Sequence, residues 1–158
     1  MALVFDATSS HVGTGVSSLT WSHTCTGSER ALLVGVGWMP FIDATISGVT
    51  YNAVPMTSIG SVGDPGVDGL SVQQWKLSNP ASGANNIVVT FTGNVYAVGG
   101  GVSFTGAAQD TTFLTGTQAT ASDLDGLTSL ATVNAPAAPG DIVVDTVLAY
   151  PGSMVLTV

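Results

Sequence analysis

Charge is what this sequence has least of. Of 158 residues only two are basic, Arg30 and Lys76, and ten are acidic, so charged side chains make up 8% of the chain. Ordinary soluble domains carry about 25%. Spread over the surface expected for this mass, each charge serves roughly 600 Å², about three times the usual share. The rest of the exterior must be Ser, Thr, Gly, Asn and apolar atoms. The net charge is −8, and two cations cannot neutralise a row of phosphates. Nucleic-acid binding by counterion release is therefore excluded, as is electrostatic adhesion to an anionic membrane.

Other absences narrow the field further. A single cysteine, Cys25, allows no intramolecular disulfide. Mean hydropathy is high at +0.47, yet no run approaches the roughly 20 apolar residues of a membrane-spanning helix. The longest run, Ala31 to Met39, is interrupted by Gly35 and Gly37. The opening MALVFDATSSHVG has no basic segment and its apolar stretch stops at Asp6, so it does not read as a secretory signal. Synthesis and folding in a cytoplasm are expected. Glu, Lys, Arg and Gln, which favour helices, are scarce, whereas Val, Thr, Ser and Gly dominate. That balance predicts strands.

Short apolar or alternating runs recur along the chain, punctuated by Gly, Pro, Asn and Asp, the spacing of a β-sandwich or barrel. Leu3 to Asp6 and Ser18 to His23 read as two strands, the second with Leu19, Trp21 and His23 on one face. Ala31 to Trp38 reads as a central strand buried on both faces, its two glycines making room for a neighbour. Asn52-Ala53 predicts a two-residue hairpin, and Pro55 places the following strand at an edge. Gly60 to Gly69 reads as a long loop. Leu70 to Leu77 and Asn86 to Phe91 alternate as strands, Gly93-Asn94 marks a turn, and Val95 to Phe104 is a glycine-rich strand. In it, Gly99-Gly100-Gly101 suggests a bulge or a close backbone approach. Weaker strands follow at Phe113 to Gln118 and Leu127 to Val133, then Asp141 to Ala149 and Ser153 to Val158. The total, ten to twelve strands, exceeds what one open sheet holds easily. The expected fold is a single all-β domain over residues 1–158, a two-sheet antiparallel β-sandwich of jelly-roll type.

Residues that could carry chemistry each have a simpler structural reading. His11 and His23 are the only histidines, and Cys25 is the only soft ligand near His23, short of the three or four that zinc needs. Cys25 itself reads as a small half-buried hydrophobe, and His23 as a half-buried member of its strand face. No G-x-S-x-G elbow occurs, and both histidines fall in the first 23 residues, which argues against a serine hydrolase. Asp64/Asp68 and Asp123/Asp125 are close acidic pairs in turn-like segments, where Asp commonly bonds its own backbone. The Asp-x-Asp-Gly at 123 to 126 lacks the later ligands of a calcium loop. Gly13-Thr14-Gly15 and Gly35-Val36-Gly37 continue into neither a dinucleotide fingerprint nor a phosphate loop. Trp21, Trp38 and Trp75 sit in alternating strands and read as core; exposed, they would suit a sugar ring. No catalytic, cofactor-binding or metal-binding residue is assigned.

Several strings carry a resemblance. They are Leu19-Thr20-Trp21-Ser22-His23, Ala31-Leu32-Leu33-Val34-Gly35-Val36-Gly37-Trp38, Val49-Thr50-Tyr51-Asn52-Ala53-Val54-Pro55-Met56-Thr57, Trp75-Lys76-Leu77-Ser78-Asn79-Pro80 and Val102-Ser103-Phe104-Thr105-Gly106. In this order, over roughly residues 15 to 150, the chain resembles an all-β family of phage genomes and bacterial surface proteins. Its phage members look like virion structural proteins. The resemblance implies a capsid decoration or cement protein, not an enzyme. Its partners would be a major capsid protein or other shell protein and further copies of itself, on the virion surface. The alternative is a glycan-binding or adhesion module of a tail fibre or cell surface, which needs exposed aromatics beside Asp or Asn in one concave patch. A filament subunit using strand exchange is a further reading, suggested by the apolar C-terminus.

Overall fold

In the computed structural model, residues 2–63, 69–109, 139–149 and 153–157 are described, with backbone alone for 147–149 and 153–157. The described residues contain no helix and nine strands: β1 (Val4–Cys25), β2 (Ala31–Pro40), β3 (Ile46–Tyr51), β4 (Val54–Pro55), β5 (Thr57–Gly63), β6 (Ser71–Ser78), β7 (Gly83–Thr105), β8 (Asp145–Ala149) and β9 (Ser153–Thr157). All pairings are antiparallel. Seven strands form one sheet in the order β4-β3-β7-β2-β6-β5, with β1 also on β7, and β8 and β9 form a separate hairpin.

Two strands of 22 and 23 residues organise the molecule. β1 runs beside β7 for its whole length, Val4 opposite Thr105 and Cys25 opposite Gly83. The first half of β7 also pairs with β3, its second half with β2. Between the halves the β1–β7 ribbon bends, and its register slips between Thr14 and Ser18. Thus Val4 to Asp6 and Ser18 to His23 belong to one strand, contrary to the sequence reading, and Leu3 lies just before it. Gly93-Asn94 is a bend within β7 and not a turn. The bend satisfies its own polar groups against the segment after β2. Thr92 donates its amide to the Thr45 carbonyl at 2.9 Å, and the Phe41 amide donates to the Asn94 carbonyl at 3.1 Å. Trp38 Nε1 donates to the Ala44 carbonyl at 3.0 Å, holding that segment against the core.

The bend lays the ribbon over itself. A Cβ built on Gly99, late in β7, would lie 2.5 Å from Trp21 Cη2, and one on Gly101 would lie 2.8 Å from Ile87 Cδ1. Ile87 belongs to the first half of the same strand, so β7 touches itself across the interior. The close backbone approach expected at Gly99 to Gly101 is present for this reason. Leu19, Trp21, Val34, Val36, Trp38, Val49, Tyr51, Ile87, Val89 and Val95 fill the space between the two layers. The core therefore lies between facing layers of one continuous, nearly barrel-shaped antiparallel sheet.

β2 is buried on both faces, as its sequence predicts. Leu32, Val34, Val36 and Trp38 point into the main core, while Ala31 and Leu33 join Val102, Phe104 and Ala107 in a second cluster, flanked by Leu3, Ile59, Ile142 and Val144. The neighbour admitted by Gly35 is Thr146, whose side chain occupies the space a Cβ would need. Gln74 Nε2 donates to Thr146 Oγ1 at 2.8 Å and ties β8 to β6.

Asn52 and Ala53 both have positive φ, 49° and 61°, and turn β3 into the two-residue edge strand β4 that contains Pro55. Gly60 to Gly63 lie in β5, paired with β6, so the loop expected there begins later. Its remainder at 64–68 and the weaker strands expected at 113–118 and 127–133 lie outside the described residues.

Gly99→Ala is expected to destabilise the protein by about 1–3 kcal/mol, the usual cost of overpacking a core. Gly48→Ala, where an added Cβ meets nothing within 4 Å, serves as the control and should be neutral or stabilising by up to about 1 kcal/mol. Denaturant midpoints of the two variants make the comparison, and equal effects would show that the layers do not meet at Gly99.

Candidate functional site

The polar side chains of the interior gather where β1 doubles back. Ser9, in the first half of β1, meets Trp21 and His23 from the second half. Trp21 Nε1 donates to Ser9 Oγ at 3.0 Å, and Ser9 Oγ lies 2.8 Å from His23 Nδ1. An indole N–H can only donate. The Ser9 hydroxyl accepts that hydrogen and also bonds His23 Nδ1, since its oxygen has two lone pairs and one hydrogen of its own. The other ring nitrogen, Nε2, is buried without a hydrogen-bond partner. His23 is 1% exposed, more deeply placed than the half-buried position its sequence suggests. Burial pushes its pKa down, and the charge of Asp6 offsets only part of that.

Asp6 and its partners close the same end of the ribbon. Its carboxylate accepts the Thr26 amide at 2.9 Å, the Thr26 hydroxyl and the Ser103 hydroxyl at 2.8 Å. Burial pushes the carboxyl pKa up, but these three bonds outweigh it and hold the group below its ordinary value. Tyr51 hydroxyl lies 3.1 Å from the Gly83 carbonyl and 3.2 Å from that of Ala81, and accepts from Asn85 Nδ2 at 3.3 Å. Burial is the main reason its pKa is pushed up to about 12. Cys25 is fully buried and burial raises its thiol pKa, which suppresses the reactive thiolate.

The fold thus brings Ser9, His23 and Asp6 into one neighbourhood, a grouping the sequence reading missed. The only local hint was Gly99 and Gly101, whose missing side chains let the ribbon close. The geometry is not that of a hydrolytic triad. There the serine bonds Nε2 and a carboxylate holds Nδ1. Here the serine takes Nδ1, Nε2 is sealed in the core, and the Asp6 oxygens are occupied by other donors. The network orients side chains and joins the two halves of β1.

The remaining candidates are scattered. His11 is exposed on β1, and no group of three His, Cys, Asp or Glu able to hold a metal occurs among the described residues. Asp64/Asp68 and Asp123/Asp125 lie outside them. Trp21 and Trp38 are each 6% exposed, and Trp75 is partly buried against the same core. A shallow, open groove beside the β3–β4 hairpin is lined by Thr50, Asn52, Asn85, Asn86, Ala84 and Val88. It offers amides but no aromatic side chain. Comparison with protein-family models, curated proteins and solved structures finds no match to this chain.

His23 and Asp6 fix the sign of the pH dependence on the acid side. Unfolded His23 binds its proton near the ordinary value of 6.5, whereas the folded protein resists doing so. Stability should be complete above about pH 6.5 and fall as pH drops through that value toward the folded-state pKa. Asp6 adds a second loss as pH falls below its ordinary 3.8. In denaturant titrations across pH, His23→Gln should abolish the first limb and leave the second. Survival of the first limb in that variant would remove His23 as its source.

Proposed function

We propose that this protein is a structural component of a virion, a decoration or cement protein. It binds the outside of a phage head and stabilises it through contacts with the major capsid protein, or another shell protein, and with copies of itself. The virion setting rests on the resemblance. The physical support is a surface that is short of charge and rich in large apolar side chains. Ile42 is 83% exposed, Val12 68%, Val4 54% and Phe5 53%. Phe41 and Tyr96 meet at the surface with ring centroids 4.7 Å apart and planes tilted by 59°, although both are nearly half exposed. Apolar and aromatic residues with little charge between them characterise the centres of protein interfaces.

The mechanism follows from mass action. A protein that binds only the assembled shell shifts the equilibrium toward assembly by about 2.7 kcal/mol per site at a hundredfold excess over Kd. Many copies multiply that effect. The jelly-roll assignment belongs to the same proposal; the facing layers made by the doubled β1–β7 ribbon support it. The glycan-binding alternative gains nothing from the tryptophans, which pack against the core.

Purified protein mixed with DNA-emptied heads of the phage that encodes it should co-sediment to saturation and raise the temperature at which the heads break. Absence of co-sedimentation at micromolar protein would overturn the capsid assignment.

A further inference from the structure

We propose that Ser18–Cys25 of β1 is a self-pairing edge, at which a second copy of this chain adds its own β1 antiparallel about a two-fold axis. The inference deepens the self-association part of the function proposed above and does not depend on the identity of any shell.

Among the described residues, three strands of the main sheet have a partner on one side only: β1, β4 and β5. Sheet edges invite pairing unless they are short, bulged, charged or interrupted by proline. β4 is two residues long and contains Pro55. β5 has seven residues and a register shift between Ser58 and Gly60. The second half of β1 has none of these defences. From Ser18 to Cys25 it pairs with β7 without a shift, and it contains no Gly, Pro, Lys, Arg, Asp or Glu. Asp6, the one charged residue in all of β1, is bound to Thr26 and Ser103.

The chemistry of this edge selects its occupant. The chain as a whole carries −8, so two copies repel except where their contact is free of acids, and this stretch is. A cationic partner, by contrast, finds no carboxylate here to attract it. The strand is also complementary to itself. Ser18, Thr20, Ser22 and Thr24 are exposed on one face, and Leu19, Trp21, His23 and Cys25 are buried on the other. A two-fold axis through Trp21 sets Thr20 opposite Ser22 and Ser18 opposite Thr24 of the second copy. Each outward pair is hydroxyl against hydroxyl, a favourable cross-strand combination. The apolar residues continue the inner face, and the two sheets become one.

Light scattering after size exclusion should show a concentration-dependent dimer that strengthens with added salt, because salt screens the repulsion between the acidic bodies. The double variant Thr20→Lys/Ser22→Lys places four cations around the axis and should be monomeric, with an unchanged circular dichroism spectrum. In a Cys25→Ser background, an oxidised mixture of Thr20→Cys and Ser22→Cys proteins should cross-link, because opposed strand residues lie within disulfide reach. Either protein alone should cross-link far less. A wild type that stays monomeric at all concentrations overturns both the edge and the self-association reading. A dimer that survives the lysine substitutions overturns the edge alone. Equal cross-linking in all three samples overturns the axis through Trp21.

Discussion

The structure depends on one close approach, that of Trp21 and Ile87 to the glycines of β7. Two strands of more than twenty residues would make a long flat ribbon, with each face half exposed. Bending the ribbon buries one face of both halves at once, but only if a backbone can come within van der Waals reach of an indole and an isoleucine. Gly99 and Gly101 permit that. Everything inside follows from it. Ser9 reaches His23 because the halves of β1 are brought together. β2 becomes central because it pairs with one half of β7 and faces the other. The 41–45 segment is needed because the bend leaves the Thr92 amide and the Asn94 carbonyl without ladder partners.

The local features of this fold were legible in the sequence; the long-range doubling was not. Asn52-Ala53 announces its hairpin because Asn tolerates positive φ. Pro55 announces an edge because it has no amide hydrogen. The unbroken apolar run 31–38 announces a strand buried twice over. Glycine pairs misled where a bend resembles a turn: Gly93-Asn94 has the composition of a hairpin loop, yet both flanking stretches of β7 pair with the same neighbour, β1. No local signal distinguishes these cases, since the difference lies in which strand the next stretch pairs with. The Ser9–His23 contact was hidden for the same reason. Its partners are fourteen residues apart on a single strand, a separation that only a sharp bend can close.

Polar groups in the interior act as fasteners, and this sharpens the meaning of so little charge. Arg30, one of the two cations, is spent on structure. Its guanidinium donates to the Pro80 carbonyl at 2.7 Å, the Gly27 carbonyl at 2.6 Å and Asn79 Oδ1 at 3.1 Å, and so ties the β1–β2 turn to the β6–β7 turn. Asp6 is likewise committed to Thr26 and Ser103. The number of charges that hydrate the exterior is therefore smaller than the composition implies, and those that remain are mostly acidic.

A surface of this kind has a direction built into it. A net charge of −8 opposes the approach of like copies, while hydroxyls and apolar side chains would permit contact where acids are missing. Specificity then arises from the pattern of repulsion as much as from attraction, because a wrong register brings carboxylates together and a right one avoids them. Such contacts are weak singly, since hydroxyl pairs contribute only about 0.2–1 kcal/mol each. They become effective through repetition, when many copies are held at fixed spacing and each contact is made at high local concentration.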